Sequence, residues 1–178
     1  MAGRRKSATR RLAAAAVLSA LGVVLLTVGA FVDVLDLSMA AIASLTVVFA
    51  VIELGGKWPY LVYLVTAALS LLLLPNKSPA LLYALFAGYY PILKAALEKH
   101  LKKPLAWLIK IVVFCGGLAL SIFVAVRFFT VTENSLFSWY YWLVLVMAPI
   151  FVLYDIALTR LISAYLFRWR KRFHFLDD

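Results

Sequence analysis

The chain has 178 residues, 66% of them hydrophobic, and carries a formal net charge of +10, with a mean hydropathy of +1.00. A soluble domain is only about half apolar, so this composition excludes a separate soluble domain. It also makes the excess of cations a membrane signature rather than a nucleic-acid footprint. The single cysteine, Cys115, excludes an intramolecular disulfide and a cysteine-based metal cage; inside an apolar run it reads as a small buried hydrophobe.

Taken in chain order, the apolar runs predict six spans joined by short polar breaks. A basic tail, 1–11, precedes the first span, 12–32. That run is too long for the hydrophobic part of a cleaved leader and about right for a spanning helix. The Ala41-Ile42-Ala43 triplet, a possible cleavage site, lies well beyond it, so a retained helix is expected. The acids Asp33 and Asp36 mark the exit, and the second span, 38–54, ends at Gly55-Gly56-Lys57. The third, 58–74, opens on Trp58-Pro59 and closes at a turn bracketed by Pro75 and Pro79, because proline suits helix starts and turns. The fourth, 80–96, is interrupted by Gly88-Tyr89-Tyr90-Pro91. The fifth, 105–128, has Gly116-Gly117 at its middle, and the sixth, 137–166, holds Pro149 as an expected kink before the basic tail 167–178. Spans without alternating polarity are helices rather than barrel strands. The expected fold is an all-α six-helix membrane bundle in one domain.

Charge gives this threading its direction. Of the 18 Lys and Arg residues, only Lys77 and Arg127 fall in the breaks that also carry Asp33, Asp36 and Glu133. The remainder cluster at the alternate breaks and the two tails. Short loops rich in Lys and Arg stay inside, so both termini are expected on the cytoplasmic side of a bacterial cell membrane, where anionic headgroups attract them. Trp58, Tyr60, Trp107, Tyr165 and Trp169 form an inner aromatic belt, and Trp139, Tyr140, Tyr141 and Trp142 an outer one.

Three groups of residues invite a functional reading. The first is charge within the spans, which is costly in lipid: Glu53, Lys94, Lys110, Asp155 and Arg160, all on the inner half, with Glu98 one helical turn from Lys94 and able to pair with it. Interhelical pairing, docking of a partner and a substrate or proton site are the competing roles. The second is an outward-facing set of Asn76, Lys77 and Arg127 with Trp139 and Tyr140, which offers the convergent polar and ring surfaces of a small-molecule pocket; an ordinary interfacial belt is the plainer alternative. The third is Tyr89 and Tyr90 at the broken fourth span, since broken helices line binding sites in transporters and also occur as simple kinks. Asn76-Lys77-Ser78 is a glycosylation sequon, but Pro79 follows it.

Small residues recur on the first span, Ala15 with Ser19 on one stripe and Ala16 with Ala20 on the next, and such faces let helices approach closely. No phosphate-binding loop, zinc-protease motif, nucleophile elbow or Cys/His metal set is present. Neither an enzyme nor a cofactor or metal is therefore expected, and ATP-driven work would need another subunit.

With its length, six predicted spans, cytoplasmic termini and the Ala16-Val17-Leu18-Ser19-Ala20 face, the chain resembles the substrate-binding S component of energy-coupling factor transporters. The resemblance implies that Ala16 and Ala20 contact a membrane coupling subunit, that paired ATPases drive the cycle, and that a vitamin-like molecule binds in an outward pocket. Two other readings stay open from the residues alone. One is an accessory or scaffolding protein acting through its basic inner face, and the other is a self-sufficient homo-oligomeric carrier or channel.

Overall fold

The computed structural model describes residues 2–100, 103–128, 133–165 and 167, with side chains for 8–32, 34–99, 105, 107–117, 119–120, 148–165 and 167. The described residues are almost entirely helical, with no strand among them. The elements are α1 (Ala2–Phe31), α2 (Asp36–Phe49), α3 (Trp58–Leu73), α4 (Ser78–Leu82), α5 (Tyr90–His100), α6 (Lys103–Phe128) and α7 (Glu133–Ala164). A 3₁₀ turn at Asp33–Leu35 joins α1 to α2, and α2 and α4 each run on into a π-helical turn, Ala50–Leu54 and Tyr83–Ala87. Among the described residues, three helical stretches are long and apolar enough to cross a membrane: Ala8–Phe31, Asp36–Leu54 and Ser78–Lys99. Trp58–Leu73 and Trp107–Gly117 are shorter apolar helices.

Local chemistry sets the boundaries. α2 opens on Asp36, whose carboxylate suits the positive end of the helix dipole. It closes where Gly55 and Gly56 take positive φ values of 61° and 58°, a backbone that side-chain-bearing residues avoid. Gly55 N–H donates to the Ala50 carbonyl at 3.0 Å, closing the π turn. Pro59 and Pro79 sit in the first turns of α3 and α4, where a missing N–H costs nothing. α7 runs through Pro149 without ending.

The chain divides into two compact units, Met1–Lys110 and Ile111–Asp178. In the first, α2 is central and touches α1, α3, α4, α5 and the π turn at Tyr83–Ala87, while α1 also packs on α3. α1 turns Ala15, Ser19, Gly22, Leu26 and Gly29 inward, a mostly small-residue stripe that brings backbones close. A Cβ on Gly22 would stand 2.9 Å from Thr66 Cγ2 and 3.3 Å from Thr46 Oγ1, so α1, α2 and α3 meet there with no room to spare. Hydroxyls buried at this junction donate to helix carbonyls, Ser19 to Ala15 at 2.9 Å, Thr46 to Ala43 at 2.8 Å and Ser70 to Thr66 at 2.7 Å. Val17, Val24, Leu64 and Leu72 point outward and are exposed. In the second unit the Phe114 and Phe151 rings stack 4.5 Å apart, joining α6 to α7.

One expectation changes here. Cys115 is exposed rather than buried, because the inward positions of α6 nearby are Phe114 and Gly117. Of the two small-residue stripes on α1, Ala15 and Ser19 carry the internal packing while Ala16 and Ala20 face outward and are exposed; one residue of shift around the helix, about 100°, separates them.

Candidate functional site

The short turns between successive helices make neighbours antiparallel, so each end of the first unit collects residues distant in sequence. One end carries Arg10, Arg11, Glu53, Lys57, Glu98 and Lys99, and the opposite end carries Asp36, Asn76 and Lys77. Between them lies the most irregular backbone of the unit. The helix that starts at Ser78 loosens into the π turn at Tyr83–Ala87, breaks at Gly88-Tyr89 and resumes as α5. Pro91 has no amide to offer the preceding turn, and the Ile92 and Leu93 amides share the Tyr89 carbonyl at 3.1 Å. The Ile92 bond is an i−3 bond, one residue tighter than the α-helical spacing that Leu93 keeps.

In a membrane, carbonyls freed by such a break need new partners. Tyr63 of α3 supplies one, its hydroxyl donating to the Ala84 carbonyl at 2.7 Å. Its ring lies 6.1 Å from that of Tyr83 and 6.4 Å, edge-on, from that of Tyr89. Phe86 stacks on Tyr90 at 5.5 Å. Gly88 is the residue that permits this assembly, since a Cβ there would stand 2.6 Å from Tyr63 Cδ2 and 2.8 Å from Tyr83 Cε1. Of these residues only Gly88, Tyr89 and Tyr90 stood out in the sequence. Tyr63 lies 21 residues upstream of the carbonyl it meets, and no local pattern announces it.

One face of α5 runs from Tyr90 through Lys94 to Glu98 at intervals of one turn. Lys94 Nζ lies 3.4 Å from Glu98 Oε1, the pairing its spacing allows, and Lys110 Nζ reaches the same oxygen at 2.8 Å. Lys94 is 1% exposed and Lys110 3%, whereas Glu98 is 47% exposed. Lys110 also lies 5.6 Å from the centre of the Trp107 ring, an arrangement that favours a cation over an aromatic face. Lys94 thus does not snorkel to solvent, and Lys110 proves to be the second partner of Glu98. The two could not be linked from sequence because they lie on different helices.

No family model matches this sequence, and no curated protein and no solved structure matches it at a significant level.

The other expected site residues take varied places. Asn76 Oδ1 accepts the Ser78 amide at 3.0 Å, and Lys77 donates to the Leu74 carbonyl at 2.5 Å. Both therefore serve the turn between α3 and α4, Lys77 by satisfying the end of α3. Glu53 is half-buried in its π turn, on the same end of the unit as Glu98. Asp155 and Arg160 belong to the second unit, where Asp155 is buried and its carbonyl accepts the Thr159 hydroxyl at 2.8 Å, while Arg160 is exposed. The side chains of Arg127, Trp139 and Tyr140 lie outside the described residues, as do Arg168, Arg170, Lys171 and Arg172. Among the described residues no group of three His, Cys, Asp or Glu is placed to hold a metal ion. Chemically, the first unit offers stacking surfaces and phenols at the break, with two ammoniums and a carboxylate below them.

Proposed function

We propose that this chain is the small-molecule-binding subunit of a membrane uptake system, with six spans, both termini in the cytoplasm of a bacterial cell and transport energised by partner subunits, as in the S components it resembles. The observation that supports this reading is the broken helix at Tyr83–Tyr89, with Tyr63, Tyr83, Tyr89 and Tyr90 gathered around it. Irregular backbone at membrane depth is kept only where it is buried in protein or lines a cavity, and in transporters such breaks lie at the substrate site. Rings and phenols there provide the stacking and the few directional bonds that a small organic molecule needs. The outward-exposed Ala16-Ala20 face of α1 would then meet a membrane coupling subunit, whose ATPases supply the energy.

Purification of the gently solubilised protein from its host, with mass spectrometry of what co-elutes, tests the partner half of the proposal. Co-elution of a membrane subunit with ATPases supports it, and recovery of the chain alone refutes it. Trp139→Ala with Tyr140→Ala tests the ligand half: loss of ligand binding by calorimetry is expected, and unchanged affinity would remove those residues from the site. A second reading draws on the exposed Arg10, Arg11, Lys57 and Lys99 at one end of the first unit, a basic face on which an accessory protein would dock a partner. Charge reversal at Lys99, Lys102 and Lys103 would then break a complex while no ligand is found.

A further inference from the structure

We infer that α5 is a hinged half-helix whose far end is held by an electrostatic latch at Glu98. Three observations meet on this one element. At its start the chain passes through a π turn, Gly88 and Pro91, and the amides of Ile92 and Leu93 share the Tyr89 carbonyl, the former through an i−3 bond that tightens the first turn. Few positions absorb backbone rotation as readily as a glycine in a broken helix. At its end Glu98 Oε1 is shared by Lys94 of its own helix and Lys110 of α6, at 3.4 and 2.8 Å. The exposure is unequal: the two ammoniums are 1% and 3% exposed and the carboxylate 47%. The anion is thus the member that water, ions or a docking partner can reach, while the cations stay fixed in the bundle.

This geometry gives α5 two states with a physical difference between them. With Glu98 bridging, α5 is tied to α6 through Lys110 and its face carrying Tyr90 and Lys94 stays closed against the unit. With the carboxylate drawn away, the tie to α6 is lost, and the helix can rotate about Gly88-Tyr89 while Tyr63 keeps the π turn anchored through Ala84. Packed elements switch between discrete arrangements in this way rather than bending continuously. The device would act whatever molecule the protein carries.

The test is a pair of spin labels at Lys99→Cys and Tyr60→Cys, two exposed positions on α5 and α3, in a Cys115→Ser background and in reconstituted bilayers. The parent should give one narrow distance distribution. E98Q, which keeps the shape and removes the charge, should add a second and longer population, and E98D should restore most of the first. A single distribution unchanged in E98Q would overturn the inference. If E98Q fails to fold, hydrogen exchange on the unmodified protein decides the matter. Amides of residues 92–99 should exchange together and ahead of those of 61–72, and equal protection of the two stretches would refute the hinge.

Discussion

Gly88 shows how much a single missing atom can decide. Its neighbours are rings, with Tyr63 Cδ2 and Tyr83 Cε1 standing 2.6 and 2.8 Å from where a Cβ would sit, and rings locked in a bundle cannot swing aside as a lysine tip can. Gly88→Ala is therefore expected to destabilise the protein by about 1–3 kcal/mol, the usual cost of overpacking, visible as a lower unfolding temperature in detergent. Tyr63→Phe keeps the ring and removes only the donor to the Ala84 carbonyl. An unmet buried acceptor costs about 1–3 kcal/mol, and a stability equal to that of the parent would show that water or another group replaces the phenol. The sequence announced Gly88 as part of a break but gave no hint of Tyr63. The spacing of residues in a helix reports their neighbours within a turn or two, not those brought in by a different helix.

At the scale of elements, the boundaries followed from local chemistry. Gly55-Gly56, Pro59, Pro75 and Pro79 mark turns through their own backbone limits, and the helices of the first unit begin or end at them. The interruption of the fourth run was equally legible, because a proline after glycine cannot carry the ladder through. What α5 is fastened to was not. Glu98→Ala should cost about 3–5 kcal/mol, the penalty of removing one member of a buried pair, because the two ammoniums that lose this carboxylate are 1% and 3% exposed. A guanidinium or thermal denaturation series on this variant measures it. A loss below a few tenths would place the bridge among the weak surface pairs. The outward set has local roles that the sequence did not show. Asn76 and Lys77, chosen as ligand contacts because they are polar residues at an external break, are engaged by the ends of α3 and α4, where turns and unsatisfied carbonyls compete for any polar side chain.

For the molecule as a whole, exposed apolar side chains cover the outer faces of α1 and α3, and small and hydroxyl-bearing residues fill the interior of the first unit. That is the arrangement of a bundle in lipid, where van der Waals contact rather than hydrophobic burial draws helices together. The segregation of cations to one end of that unit predicts its orientation. Cysteines placed singly at Lys57 and Lys99 should react with a membrane-impermeant maleimide only from the cytoplasmic side, and one at Asn76 only from outside. Labelling of Lys57 and Asn76 from the same side would refute the threading.

The sequence by itself determined that the chain is helical and rich in apolar runs, and where the first unit turns; it predicted six spans, of which three helices among the described residues are long and apolar enough to cross a membrane. Those properties depend on hydropathy, proline and glycine, which act within a few residues of themselves. Only the tertiary structure decided which stripe of α1 packs inward, that Tyr63 answers the broken backbone, and that Lys110 joins Lys94 on Glu98. Each depends on how one helix is rotated against another. A shift of one residue turns a helix face by about 100° with hardly any change in the pattern that drives the chain into the bilayer.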